Sequence, residues 1–233
     1  MTGYSYQIEG IKRRSLAEEA YDYLKEQIIS GHIRQGDVIT EQKIADLLHI
    51  SRTPVKRAIN RLENENFVTT LNGRGTLVNV LSIADMRDIY SVRITLELLA
   101  LETAVNNFSP RKLVKNRLTL EKALTDYQRN RERLTVEDMS RLDEQFHNFL
   151  IENTSNHYLQ KLMPSISQRI QLGQTQAYIL TDTFADSTTQ HLKIIEALEK
   201  KDLPKAKDLL KAHLQWSYKI VLDAMLNQQK RKA

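Results

Sequence analysis

The chain contains no cysteine, and that one absence excludes disulfides, thiolate zinc centres and cysteine nucleophiles. Long apolar runs are missing too. No stretch approaches the roughly 20 residues of a membrane span, and the N-terminus lacks the apolar segment and cleavage site of a secretory signal. A cytoplasmic protein with no membrane partner is the expectation. Glycine is scarce and uneven, since only Gly173 occurs beyond Gly75. Internal repeats are absent, and the one compositionally biased stretch is the polar tail Gln228-Gln229-Lys230-Arg231-Lys232.

At 233 residues and 41% hydrophobic content, the chain is long enough to bury the cores of two domains. The net charge of +5 favours a polyanionic partner, but its distribution does not locate one. Residues 1 to 81 carry 11 basic and 10 acidic side chains, and the remainder carry 23 and 19. A local feature has to locate the interface instead.

That feature lies in residues 38 to 62. Ile44, Ala45, Leu47 and Leu48 form the apolar side of one short helix, and Val55, Ala58, Ile59 and Leu62 repeat at helical spacing in a second. His49-Ile50-Ser51 is the turn between them. Ser51 suits the N-cap of the second helix, and Pro54 falls in its first turn, where a missing amide proton costs little. The outer face of that helix carries Arg52, Lys56, Arg57 and Arg61, with no acidic residue between Ser51 and Leu62. A helix of this kind enters a major groove; the alternative is a solvated basic face on an ordinary helical hairpin. Two β-prone stretches follow, Phe67 to Leu71 and Thr76 to Val80, separated by Asn72-Gly73-Arg74-Gly75, a hairpin signal. Preceded by a helix through Ala17, Ala20, Tyr21, Leu24, Ile28 and Ile29 that Gly31 ends, this order predicts a winged helix-turn-helix over residues 1–81.

Gly31-His32-Ile33, Gly36-Asp37, Ile44-Ala45, Ser51-Arg52-Thr53-Pro54-Val55, Arg61-Leu62-Glu63 and Gly73-Arg74-Gly75 together resemble the winged-helix domain of GntR-type bacterial transcription regulators. The resemblance runs from about Leu16 to Val80. It implies that the second helix reads operator DNA, with Arg52 and Lys56 on bases and Asn72-Gly73 in the wing; Thr53, Arg57 and Arg74 complete the candidate DNA-binding set. Two departures stand out. The family usually has Arg-Glu where this chain has Lys56-Arg57, and Gln42 stands where a basic residue is sometimes found. Lysine cannot offer guanine the bidentate fork of arginine.

Beyond Val80 the pattern is helical throughout, which predicts an all-α domain of about six helices over 82–233. Ser82-x-x-Asp85 resembles a capping box, and its helix extends to about Asn107. Ser109-Pro110 starts the second helix, and Thr135 caps a third over about 136 to 153. Asn156 opens a fourth, in which Pro164 and Gly173 introduce a bend or interruption. The fifth covers about 183 to 200, and Asp202 caps a sixth that extends to about 228.

Three of the six histidines sit in apolar stripes of these helices. Asp143 and His147 are four residues apart and project from one face. His191 lies about ten residues before the turn at Lys201-Asp202 and His213 about eleven after it, so in an antiparallel hairpin the two come level. One carboxylate and three imidazoles at one height can coordinate a divalent ion; taken singly, each histidine also reads as a hydrogen-bonded core residue. His32, His49 and His157 fall in turns or at helix ends.

Arg93-Ile94-Thr95-Leu96-Glu97, Asp143-x-x-x-His147, Asn156-x-Tyr158-Leu159 and the run from His191 and Ile194 through Ala197-Leu198, Asp202 and Ala206 to His213-Leu214 resemble the FadR-type all-helical effector domain called FCD. Six helices place it with the shorter, VanR-like branch. The resemblance implies a metal bound by Asp143, His147, His191 and His213, with zinc foremost and nickel or manganese as alternatives. It also implies a small organic acid effector. Arg93 is then a partner for a carboxylate, or else an ion-pair partner of Glu97 one turn on. Arg169, Ser187 and Thr188 are further candidates for the effector pocket.

The expected function is a DNA-binding transcription regulator, a repressor and a homodimer on a pseudo-palindromic operator, controlled by a carboxylate metabolite at a metal site. No catalytic residue is assigned. One alternative is a regulator for which the ion itself is the signal. The other is a metal-dependent hydrolase, against which stands the absence of a His-Glu-x-x-His type acid-base motif.

Overall fold

The computed structural model describes residues 14–232. Residues 1–13 and Ala233 lie outside the described residues. The remainder divides into two compact units, one comprising residues 14–28 and 34–79 and the other 29–33 and 80–232. The fold is mainly α, with a winged helix-turn-helix and a bundle of six helices.

The first unit contains α1 (Leu16–Ile29), β1 (Val38–Ile39), α2 (Glu41–Leu48), α3 (Arg52–Asn64), β2 (Val68–Leu71) and β3 (Gly75–Val78). Its core collects Ala20, Leu24 and Ile28 of α1, Ile44 of α2, and Val55, Ile59 and Leu62 of α3, all essentially buried. The Thr40 hydroxyl caps α2 by accepting from the Lys43 amide at 3.3 Å, and His49, in the left-handed region at φ 54°, ends it. Ser51 occupies the N-cap of α3 as expected, although its side chain makes no capping bond. The wing has a third strand that the sequence reading did not separate from the helix-turn-helix: β1 pairs antiparallel with β3, giving the order β1-β3-β2. Two residues are too short for a period-2 pattern to register; the partner strand defines β1.

The second unit contains α4 (Ile83–Ala104), α5 (Pro110–Arg129), a 3-10 turn (Arg131–Arg133), α6 (Val136–Glu152), α7 (His157–Leu180), α8 (Phe184–Glu199) and α9 (Leu203–Lys232). Ser82 with Asp85 and Thr135 with Asp138 form complete capping boxes, each satisfying two otherwise orphaned amides. Asn156 accepts from the Tyr158 and Leu159 amides, and Asp202 accepts from that of Lys205. Ser109 stands at its N-cap without a side-chain bond.

Of the two alternatives expected at Pro164 and Gly173, interruption does not occur, since helix α7 is continuous through both. A mid-helix proline forfeits one backbone hydrogen bond, and here the burial of Leu159, Met163, Ile170 and Ala177 holds the helix together regardless. Gly173 has a packing role. A Cβ there would lie 2.8 Å from Met86 Cε and 3.0 Å from Val221 Cγ1, so its absence lets α7 approach α4 and α9 closely. Helix α9 continues past residue 228 to Lys232. Phe146, Leu150, Ile194, Leu198, Leu210 and Leu214 form the centre of a core cluster between α6, α8 and α9. No helix among the described residues is long and apolar enough to cross a membrane.

Candidate functional site

Helix α6 presents Asp143 and His147 one turn apart toward the bundle interior. Helices α8 and α9 form an antiparallel hairpin closed at Lys201, whose φ of 56° is left-handed, and they bring His191 and His213 level. All four side chains are buried. His191 Nε2 lies 3.0 Å from His213 Nε2, which lies 3.4 Å from His147 Nε2. The Asp143 carboxylate approaches His147 Nε2 at 3.7 Å through Oδ2 and His191 Nε2 at 3.6 Å through Oδ1. The Phe146 ring stacks on His191 with centroids 3.9 Å apart and supports it from the core side.

The outer nitrogens determine what the inner ones carry. His147 Nδ1 is 2.6 Å from Glu97 Oε2. A carboxylate only accepts, so Nδ1 holds the proton and Nε2 presents its lone pair inward. His213 Nδ1 faces Gln190 Oε1 at 3.2 Å, with the same consequence. Two imidazole lone pairs thus face each other at 3.4 Å, an arrangement that neutral rings cannot turn into a hydrogen bond. Asp143 adds a third acceptor. Its Oδ1 accepts from Tyr178 at 3.2 Å and Ser187 at 3.1 Å, while Oδ2 is buried without a partner. Burial, the largest cause, pushes His191 and His213 well below the ordinary histidine range and so favours their neutral rings.

A divalent cation satisfies every one of these groups. One donor atom from each of the four residues lies within 4.8 Å of the others. Donors about 2.0 to 2.1 Å from a common centre stand roughly 3.0 to 3.4 Å apart along a polyhedron edge, close to the separations found. The donor set of three nitrogens and one oxygen suits several first-row ions and does not choose among them.

In the first unit, Arg52, Thr53, Lys56 and Arg57 are exposed on the first turns of α3, and Asn72, Gly73 and Arg74 are exposed at the wing tip. The Arg74 amide closes the wing turn on Leu71 O at 2.9 Å, and Gly73 takes the positive φ of 72° that this turn requires. The cationic face is less free than its sequence suggests, since Arg52 Nη2 donates to Glu41 Oε2 of α2 at 3.0 Å.

Residues 16–78 match the family described as bacterial regulatory proteins, gntR family, and residues 88–215, more than half of the chain, match the FCD domain. The chain belongs to the GntR family and carries an FCD domain. It is 30% identical over 195 residues to the Nta operon transcriptional regulator of Aminobacter aminovorans, covering 84% of this chain and 89% of that one. It is 22% identical over 198 residues to the HTH-type transcriptional repressor RspR of Escherichia coli (strain K12), covering 85% of each. Among solved structures, E. coli McbR/YncC superposes with a TM-score of 0.77 at 23% identity, over 94% of this chain and all of that one.

This GntR regulator is thus a DNA-binding transcription regulator, and the hydrolase alternative falls away. Within its FCD domain the effector candidates separate. Arg93 lines a narrow polar cleft beside Asp143 and His147. Its Nε pairs with Glu97 Oε1 at 2.6 Å in a fully buried ion pair, so the partner expected one turn on is present. Ser187 donates to Asp143 and lines a second narrow cavity. Thr188 and Arg169 line neither: the Thr188 hydroxyl donates to Phe184 O in its own helix at 2.8 Å, and Arg169 acts electrostatically on Asp85. Helical phase explains both, because residues one position from an inward-facing neighbour rotate about 100° away.

Four contributors to the FCD site escaped the sequence reading. Glu97 carried a signal only as an i+4 partner of Arg93, yet its second oxygen orients His147. Burial works to raise its carboxyl, and the Arg93 guanidinium together with the hydrogen bonds from His147 and Arg93 outweighs that and holds it below the ordinary carboxylate range. Gln190 and Tyr178 left no trace, because their contacts cross between helices. Glu144 lines the polar cleft and accepts from Gln171 Nε2 at 3.2 Å.

Proposed function

We propose that this regulator is a homodimeric repressor whose operator affinity is set by a small organic acid bound at a divalent metal in the FCD domain. The ion, zinc foremost with nickel or manganese as alternatives, is held by Asp143, His147, His191 and His213. The observation that carries this reading is the convergence of two imidazole lone pairs and the orphaned Asp143 Oδ2 on one buried point. When bound, the ion supplies positive charge and open coordination positions to which a carboxylate can attach.

The chain's own residues supply the rest. Glu97 and Gln190 fix the tautomers of His147 and His213, and Tyr178 and Ser187 orient Asp143. Arg93 places a guanidinium in the cleft wall, where it suits the outer oxygen of a coordinated acid. On the DNA side, Arg52, Thr53, Lys56 and Arg57 meet the major groove, and Asn72, Gly73 and Arg74 form the wing that reaches the minor groove. Two such helices about one DNA turn apart match a pseudo-palindromic operator. Effector binding favours one arrangement of the winged domains and so shifts the population that binds DNA. The repressor sign follows RspR, a named repressor among the relatives.

A second reading, in which the ion itself is the signal, is favoured by the small size of the cavities beside the cluster. Thermal unfolding separates the two when metal-loaded and chelator-treated protein are each scanned against a panel of small acids, with operator binding measured in parallel. The expected result is an acid that raises the melting temperature only of metal-loaded protein and lowers its operator affinity. Metal-dependent operator binding to which no acid adds anything would replace this reading with the second.

A further inference from the structure

The Asp143, His147, His191 and His213 cluster is covered on most sides. Phe146 stacks on His191, the Trp216 ring lies 6.0 Å from that of His213, Glu97 stands behind His147, and Tyr178 and Ser187 donate to Asp143 Oδ1. The apolar cavity beside Trp216 touches none of the four. The polar cleft, lined mainly by α6 and α7, borders two of them, Asp143 and His147. It has room for about one water. A hydrated divalent ion therefore cannot pass along it intact, and shedding water is costly for a cation unless protein oxygens take its place.

Glu144 is placed to supply such an oxygen. It lies on the cleft wall, one residue from Asp143 and three from His147, so it neighbours His147 on the surface of α6. The side chain is half-buried, yet among the described residues no cation pairs with it. Two neutral amides hold it instead. Gln171 Nε2 of α7 donates to Glu144 Oε2 at 3.2 Å across the cleft, and Asn148, one turn along α6, bonds it as well. Its charge thus stays uncompensated by any fixed cation, and a turn of one neutral amide frees an oxygen.

We infer that Glu144 is the entry ligand for a divalent cation, taking the ion as it sheds water in the cleft and passing it to Asp143, whose Oδ2 has no partner. This rests on the reading that Asp143, His147, His191 and His213 hold a metal. Glu144 is outside that donor set and acts only on the path to it. Gln171 competes with the ion for the same carboxylate and closes the cleft once the ion has passed. A path works in both directions, so these two residues set the rates of loading and release and leave the equilibrium alone.

The experiment measures both rates on the full chain. Chelator-treated protein is mixed with zinc and the zinc left free is assayed at successive times; zinc-loaded protein is mixed with excess chromophoric chelator and release is followed directly. Glu144→Gln keeps the size of the side chain and removes its charge. It is expected to slow loading and release alike by about tenfold, the lower end of what a charge in a cleft does for the arrival of an ion, with their ratio unchanged. Gln171→Ala frees the carboxylate and is expected to speed both. Slower loading with unchanged or faster release would reduce Glu144 to an attracting charge or make it a resident ligand, and either overturns the inference. Parent-like rates in both variants overturn it as well and send the ion by another route, while zinc binding itself keeps the four-residue reading standing. If the parent binds no zinc, both fall.

Discussion

Glu97 of α4 and His147 of α6 meet across the bundle at 2.6 Å, with both side chains buried. The same carboxylate binds Arg93 through its other oxygen, so one acidic residue neutralises the cleft's arginine and orients one of the four candidate metal ligands. Loss of such an outer partner typically costs 10- to 100-fold in metal affinity. Glu97→Gln is expected to fall within that range when measured by competition with a chromophoric chelator. The variant also leaves Arg93 with a neutral partner, and breaking a buried pair costs about 3 to 5 kcal/mol, so its melting temperature falls as well. Unchanged zinc affinity would remove Glu97 from the metal site.

Asp143 Oδ2 is a buried acceptor without a donor, and that cost is borne only while no cation is bound. Asp143→Asn removes the charge at nearly constant volume. In chelator-treated protein the variant is expected to be the more stable, by about 1 to 3 kcal/mol for relieving one unsatisfied buried group. Added zinc then raises the melting temperature of the parent and leaves the variant nearly unmoved. A chelated variant that melts below the parent would assign Asp143 a structural role unrelated to metal.

On the DNA face, Arg52 and Arg57 are expected to fail differently. Arg52→Lys loses the bidentate fork, costing about 1 to 3 kcal/mol at one base pair and relaxing the preference there. Arg57→Ala weakens binding to every sequence, and its salt slope falls by about one phosphate contact. Fluorescence anisotropy on the operator and on single-base variants, at several salt concentrations, checks both. Identical patterns for the two variants would contradict the division of roles.

The winged unit carries its own acid-sensitive link. Burial works to raise the Glu65 carboxyl, but Lys25, at 2.5 Å, together with Tyr21 and Arg61, more than offsets it and holds Glu65 below its ordinary value of 4.5. A depressed carboxyl pKa stabilises the fold above the unfolded value, and that contribution is lost as pH falls through the folded one. Glu65→Gln is thus expected to speed amide hydrogen exchange in α1 and α3 at neutral pH. The difference from the parent should shrink as pH falls below the ordinary carboxylate value and on through the depressed one, where the parent carboxyl also becomes neutral. A difference that persists unchanged into acid would mean that the ion pair with Lys25 contributes nothing.

Local chemistry made much of this protein readable in one dimension. Apolar spacing at Val55, Ala58, Ile59 and Leu62, capping residues at Ser82, Thr135 and Asn156, and the glycines of the wing act through neighbours three or four residues away, so helices, turns and hairpin follow from sequence alone. The level placement of His191 and His213 was legible for a similar reason, because a tight hairpin converts sequence distance from its turn into height. Contacts without a periodic signature were decided only in three dimensions. The pairing of Val38 and Ile39 with β3, the reach of Glu97 to His147 and the support of Asp143 by Tyr178 all depend on which helices or strands pack together and at what rotation. A side chain's own sequence records neither, because the partner arrives from a distant part of the chain and is selected by the packing of the whole unit.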